Sequence, residues 1–376
     1  MKVSKLTAAG LIFFVILGFW GQAFSQSKGP IKLGSLSALT GVGSQMGQSQ
    51  RDALVMVFER INSSGGINGQ KVDLFVEDDQ LQPTVAVNGA KKLVYKDEVL
   101  VVFGTPNSPT ALASLEVTME GKVPQLVFGV APKITQMNNP WVLRVTPVDS
   151  ILARHLVNFA VNEKKMQKLA ILHDSTDYGK GGMASAVEAL TKLGLKPVIL
   201  ETFNNDDVDF SSQLNKIKTS GANGMIIWGL HVQGAQIMNQ AKKLGVNLPI
   251  FGSSGILQGN FLELAKDSAE GCYLVSYFSL DNPNPRVQAF VKEYRDRFKY
   301  DPTPVSGLAY EAGNLVASAI KKVGQDRAKI MAELKSVKDY PGVTGPLSAD
   351  DKGEMGRGGI IVQIKGNKAV TIWSSK

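Results

Sequence analysis

The sequence predicts an α/β protein made of two doubly wound parallel-sheet lobes. Three observations predict it. Short apolar runs alternate with amphipathic segments from Ile31 onward, which implies right-handed βαβ units and a parallel sheet. The alternation then restarts at Leu169, as a second sheet would require. The length of 376 residues fits about two domains, and an apolar content of 44% is enough to fill a core in each.

The elements follow in order. Lys2 and Lys5 open the chain, and Ala8–Trp20 carries no charge. Ala23-Phe24-Ser25 then offers a small-x-small cleavage site, so residues 1–25 read as a removed signal peptide. The apolar run is short of the roughly 20 residues that a membrane span needs. No cysteine sits at the cleavage site for lipid attachment. An exported α/β protein has no ATP or NAD supply, which removes many functions this fold class serves.

Ile31–Leu36 is the first strand. Ala53, Leu54, Val57, Phe58 and Ile61 recur at helical spacing over Gln48–Ile61, and Gly65, Gly66 and Gly69 stop that helix. Val72–Val76 is a strand, Thr84–Tyr95 a helix with Pro83 at its start, Val99–Phe103 a strand, Pro109–Met119 a helix and Leu126–Phe128 a strand. In the second half, Leu169–Leu172, Val198–Thr202, Met225–Trp228, Ile250–Phe251 and Tyr273–Val275 read as strands. Asp209 caps a helix over Phe210–Lys218. Further helices follow at Gly234–Leu244, Val287–Phe298 and Leu308–Val323. A closing hairpin pairs Gly359–Lys365 with Ala369–Trp373 around Gly366-Asn367.

Composition and motifs exclude several functions. Without Lys2 and Lys5, 39 basic residues face 33 acidic ones, interspersed and with no basic run longer than two. A nucleic-acid partner would want a concentrated patch. Cys272 stands alone in a strand, so no intrachain disulfide forms and a buried, inert thiol is expected. His155, His173 and His231 lack metal-ligand spacing, and there is no Walker A run. Gly252-Ser-Ser-Gly255 misses a nucleophile elbow by one position. Gly179-Lys-Gly-Gly-Met-Ala184 fits G-x-G-x-x-A, but in a dinucleotide site the glycines follow the strand at once. Here His173–Tyr178 intervenes after Leu172, and a loop leading into a helix is expected. No enzyme, cofactor or metal is expected.

Ligands of open α/β sheets bind beyond the carboxyl ends of the strands. Ser108 follows the strand ending at Phe103, as an N-cap candidate with Pro109 in the first helical position. That helix start suits a carboxylate, although Ser108 could also serve only as a cap. Val130 and Ala131 leave backbone groups open after Phe128. Tyr178 and His231 follow strand ends in the second half. Tyr178 is either a ligand contact or a packing tyrosine, and His231 either a contact or an exposed loop residue.

Several segments occur in one order along the chain. They are Ile31–Gly41 (IKLGSLSALTG), Ile61–Ile67 (INSSGGI), Val76–Asp79 (VEDD), Arg144–Asp149 (RVTPVD) and Ala170–Asp174 with Tyr178-Gly179. Asp209-Phe-Ser211 and Ala269-Glu-Gly271 complete the set. With this ordered set, from Ile31 to the C-terminus, the chain resembles the branched-chain amino-acid (Leu/Ile/Val) binding proteins of ABC transporters, which are type I periplasmic solute-binding proteins. The resemblance implies two lobes joined by three crossovers near Val148, Ser276 and Gly356. Residues 26–148 with 277–356 would form the N-terminal lobe, and residues 149–276 with 357–376 the C-terminal lobe. It implies ligand contacts at Ser108, Val130, Ala131, Tyr178 and His231, with Ser254 and Met46 at two further binding positions.

Three departures bear on the ligand. Pro132 stands where the family commonly has a threonine beside the carboxylate. Ser254 stands where the family has the acid that pairs with the substrate ammonium, and Met46 replaces a pocket aromatic. A buried ammonium without a carboxylate partner is costly. The expected ligand is a small carboxylate-bearing molecule, either an amino acid of the branched-chain or hydrophobic type or a related carboxylate or amide, and one lacking an α-ammonium is expected to compete well with leucine. The expected protein is a monomeric periplasmic component of an ABC importer that hands a small molecule to an inner-membrane permease. The alternative is a receptor subunit that signals with the same lobes; a neighbouring kinase gene would favour it, and permease and ATPase genes the importer.

Overall fold

The computed structural model describes residues 29–375; the signal peptide expected over 1–25 lies outside the described residues. The first half contains β1 (Ile31–Ser37), α1 (Ser44–Ser63), β2 (Val72–Asp78), α2 (Pro83–Lys91), β3 (Val102–Phe103), α3 (Ser108–Glu120), β4 (Gln125–Val127), a short α4 (Lys133–Gln136) and β5 (Val142–Pro147). The second contains α5 (Asp149–Asn158), β6 (Leu169–Asp174), α6 (Asp177–Lys192), β7 (Ile199–Phe203), α7 (Ser211–Thr219), β8 (Gly224–Trp228), α8 (His231–Lys243), β9 (Ile250–Gly252), α9 (Phe261–Ala265) and β10 (Tyr273–Ser276). Then come α10 (Pro285–Phe298), α11 (Pro304–Val323), α12 (Arg327–Lys335), β11 (Tyr340–Gly342), β12 (Gly345–Leu347), β13 (Glu354–Gly356), β14 (Ile360–Lys365) and β15 (Lys368–Ser374).

Two sheets result. One runs β11-β12-β13-β5-β4-β3-β1-β2 and the other β15-β14-β10-β9-β8-β6-β7. The central order is the same in both: the second strand lies outside the first, and the chain then crosses to the other side. Each lobe therefore has its switch point at its first strand, where a crevice opens beyond the strand ends. The sheets are mixed rather than wholly parallel. β13 pairs with β5 in parallel, while β11, β12, β14 and β15 add antiparallel edges. The chain passes between the sheets three times, from β5 to β6, from β10 to β11 and from β13 to β14.

Packing follows from residue type. α11 lays its apolar stripe, including Leu308, Ala312, Leu315 and Val316, in the first lobe, where it meets α1. In the second lobe, Phe203, Phe210, Leu214, Ile227 and Leu274 form a separate core. α7 starts at Ser211, one residue later than expected, with Phe210 rather than Asp209 in the cap position; the Asp209 side chain still accepts the Ser211 N–H at 2.9 Å. Cys272 is buried, and burial pushes its thiol up to about 12, well outside the reactive range. Among the described residues, no helix is long and apolar enough to cross a membrane.

Candidate ligand-binding site

The site is assembled from strand ends of both lobes. On the first lobe, the cap of α3 is Asn107, not Ser108: the Asn107 side chain accepts the Thr110 N–H, and Ser108 is the first helical residue. The shift matters chemically. Freed from capping, the Ser108 hydroxyl accepts the Ala131 N–H at 3.2 Å and keeps its own hydrogen for an anion. Ser108 is almost wholly buried. Gly129 makes this approach possible, since a Cβ there would lie 3.1 Å from the Ser108 Cα.

The loop carrying Val130 and Ala131 is held from below by Arg144 of β5, which is fully buried. Its guanidinium donates to the Ala131 carbonyl at 2.7 Å, to the Thr135 hydroxyl at 2.7 Å and to the Glu354 carboxylate at 3.0 Å. Burial lowers the Arg144 pKa, while Glu354 and Asp149 pull it back up. Asp149, at the start of α5, is buried with neither carboxylate oxygen hydrogen-bonded. Burial drives its pKa well above the usual carboxylate range, against the pull of Arg144.

On the second lobe, Asp174 ends β6 and accepts the Thr176 and Gly179 N–H groups at 2.8 and 3.2 Å. Thr176 caps α6 by accepting the Tyr178 N–H at 3.2 Å. The Tyr178 hydroxyl donates to Ser253 at 2.9 Å and accepts the Gly255 N–H at 3.1 Å. It knits the loop after β9, and its ring is what the cleft sees. α6 begins at Asp177, two residues after the strand, so the G-x-G-x-x-A glycines lie inside the helix rather than after a long loop. They serve packing. A Cβ at Gly179 would lie 2.1 Å from the Asp174 carbonyl oxygen, and one at Gly182 would lie 1.9 Å from the Trp228 indole nitrogen.

Between these walls lies a cleft cavity. Met46, Ser108, Val130, Tyr178 and Ser254 all line it. Ala131 does not; it reaches the site through its N–H to Ser108. His231 lies in an adjoining cavity, beside Val42, Leu81 and Pro109. It is the first residue of α8 and buried, not an exposed loop residue. Burial pulls its pKa down to about 4, so its ring is neutral at neutral pH. Phe128, Leu230, Gln258, Tyr277 and Val305 complete most of the wall. Phe128 and Leu230 follow strands, a signal that the strand-end rule could have used. Tyr277, directly after β10, carries the same signal, whereas Gln258 and Val305 carry no local signal in the sequence.

No lining residue is charged. Asp177, the acid nearest in sequence, is exposed and pairs with Lys133 of the other lobe at 3.4 Å, outside the cavity. The site therefore presents a hydroxyl donor beside a helix start and aromatic and aliphatic walls, with no fixed charge to hold an ammonium.

Two doubly wound lobes crossed three times by the chain, with a cavity between their strand ends, form the architecture of a two-lobed solute-binding protein. The chain belongs to the periplasmic binding protein family, whose model matches residues 30–369. Among curated relatives, it is 27% identical to the leucine-, isoleucine-, valine-, threonine- and alanine-binding protein of Pseudomonas aeruginosa, over 94% of this chain and 93% of that one. Among solved structures, it is similar to the branched-chain amino acid substrate-binding protein LivJ of Streptococcus pneumoniae in complex with isoleucine. That match has a TM-score of 0.85 and 25% identity, over 92% of this chain and 99% of that one. It also shares its fold with an ABC transporter solute-binding protein of Rhodopseudomonas palustris in complex with benzoate, with a TM-score of 0.84 and 21% identity over 92% and 96% of the two chains.

Proposed function

We propose that this protein is the periplasmic solute-binding component of an ABC importer, and that its ligand is a small monocarboxylate with an apolar body and no required α-ammonium. The observation that carries the ligand reading is the uncharged cavity, with Ser254 at the wall position where the resemblance puts an acid. The carboxylate sits at Ser108, which has a hydrogen to give, and the body packs on Val130, Phe128, Met46 and the Tyr178 ring. The lobes divide near Val148, Ser276 and Gly356, and the ligand stabilises their closed arrangement, which an inner-membrane permease reads. The protein acts as a monomer.

Calorimetry with leucine and its 2-keto analogue, 4-methyl-2-oxopentanoate, tests the ligand reading. The keto acid is expected to bind at least as tightly as leucine, and Ser254→Glu to shift preference toward leucine. Leucine binding more than about 100-fold tighter, roughly 2.7 kcal/mol, would reveal an ammonium site and overturn it.

Ser108→Ala is expected to weaken the bound carboxylate by about 1–3 kcal/mol, the range for a lost hydrogen bond to a charged group. Asn107 keeps the cap, but the buried Ala131 N–H loses its acceptor, so the melting temperature should fall as well. Unchanged affinity would remove Ser108 from the site. Export predicts a mature N-terminus near Gln26, and intact mass of the periplasmic protein checks it. A mass that retains residues 1–25 would contradict the cleavage.

A further inference from the structure

The loop after β9 carries a polar group that nothing in the fold uses. Gln258 is 4% exposed and lines the cavity across the cleft from Ser108. Its side-chain nitrogen donates to the Ser254 carbonyl at 3.3 Å. That contact sets the amide's orientation, since a flipped amide would set oxygen against oxygen. The Tyr277 hydroxyl lies beside the same amide, and Gln258 opposes the rise that burial imposes on the phenol's pKa. One amide hydrogen thus faces the Ser254 carbonyl. The remaining atom, Gln258 Oε1, is buried and has no hydrogen-bond partner. Buried acceptors are almost always paired, so an unpaired one in the wall of a binding cavity marks what the ligand brings.

We infer that Gln258 is a specificity residue: it accepts a hydrogen bond from a hydroxyl at the end of the ligand remote from the carboxylate, so that the preferred ligand is a hydroxylated aromatic acid. The inference rests on the carboxylate reading above. The aromatic body follows from the walls, where the rings of Phe128, Tyr178 and Tyr277 border the cavity. An acid of this class is held at one end by Ser108 and at the other by Gln258, which ties one lobe to the other through the ligand. A hydrocarbon acid of the same shape leaves Oε1 desolvated and unpaired, and a polar site discriminates strongly against such an isostere.

The test is a set of calorimetric titrations with benzoate, 3- and 4-hydroxybenzoate, and 3- and 4-methylbenzoate. Methyl and hydroxyl are close in size, so the comparison isolates the hydrogen bond. For the wild type, the better hydroxybenzoate is expected to bind at least about 10-fold tighter than the matching methylbenzoate. Gln258→Met should bring that ratio to about 1, since the acceptor is lost. Equal binding of the hydroxyl and methyl acids by the wild type would overturn the proposal without any variant. A ratio that survives Gln258→Met would overturn it as well. If the wild type bound none of the five acids, the carboxylate reading itself would fail and take this inference with it.

Discussion

Replacing Arg144 with methionine is expected to destabilise the protein by about 3–5 kcal/mol, the cost of breaking a buried ion pair from one side. The cause is local. Arg144 is fully buried, and Glu354, its partner at 3.0 Å, is nearly so. Removing the guanidinium strands the Glu354 carboxylate and deprives Asp149 of the cation that pulls its pKa down. It also releases the Ala131 carbonyl and the Thr135 hydroxyl. Because Arg144 leaves from β5 and Glu354 from β13, the pair ties together two strands that each lead out of the first sheet. Urea denaturation measures the loss. The double variant Arg144→Met with Glu354→Gln should recover part of it, since no charge is then left alone. Ligand affinity should fall in the single variant, because the loop that supplies the Ala131 N–H to Ser108 loses its anchor. A single variant within about 1 kcal/mol of wild type would show that the buried charge has found other solvation.

The second large effect belongs to Gly182→Val. Trp228 ends β8, is fully buried and lies against the α6 backbone at Gly182. A Cβ at 182 would sit 1.9 Å from its indole nitrogen and 2.1 Å from Cε2. Neither side yields easily, since one is a helix docked on a sheet and the other the largest side chain in the core. Overpacking of this kind costs about 1–3 kcal/mol or more, and a β-branched residue in a helix adds to it. The expected loss is about 3 kcal/mol or more by urea denaturation. α6 also carries Tyr178 one turn earlier, so a displaced helix moves the ring that lines the cavity, and affinity should fall with stability. Gly181→Ala is the control, as its Cβ would face Pro132 of the other lobe at 3.1 Å, a contact that a small shift relieves. If Gly182→Val were as stable as Gly181→Ala, the close approach would not be what selects glycine there.

Much of the fold was legible in the sequence because its signals are local. Apolar runs of strand length, helical spacing over Gln48–Ile61 and the closing turn at Gly366-Asn367 all reappear as β1 to β4, β6 to β10, α1 and the β14–β15 hairpin. What escaped was the segment without periodicity. Val142–Pro147 is buried along its whole length and includes an arginine, so β5 does not read as an apolar strand. β11, β12 and β13 are three residues each, too short to leave a pattern, and their pairing makes the first sheet mixed. The cap of α3 was misplaced by one residue because Asn107 and Ser108 are both good caps. Only the chain's path chose between them, and that choice leaves Ser108 free for the ligand.

By itself, the sequence determined the class of fold, its restart into a second lobe, the family and the five lining positions Met46, Ser108, Val130, Tyr178 and Ser254. Each of these rests on strand ends, spacing or an ordered set of short segments, all readable along one dimension. Tertiary structure alone decided the rest. It put His231 in a neighbouring cavity, engaged the Tyr178 hydroxyl within its own lobe, paired Asp177 with Lys133 across the cleft and placed Gln258 beside Tyr277 with one oxygen unused. These outcomes depend on which atoms meet across the lobes, and hydrogen bonding and desolvation act only between groups that the fold has brought together.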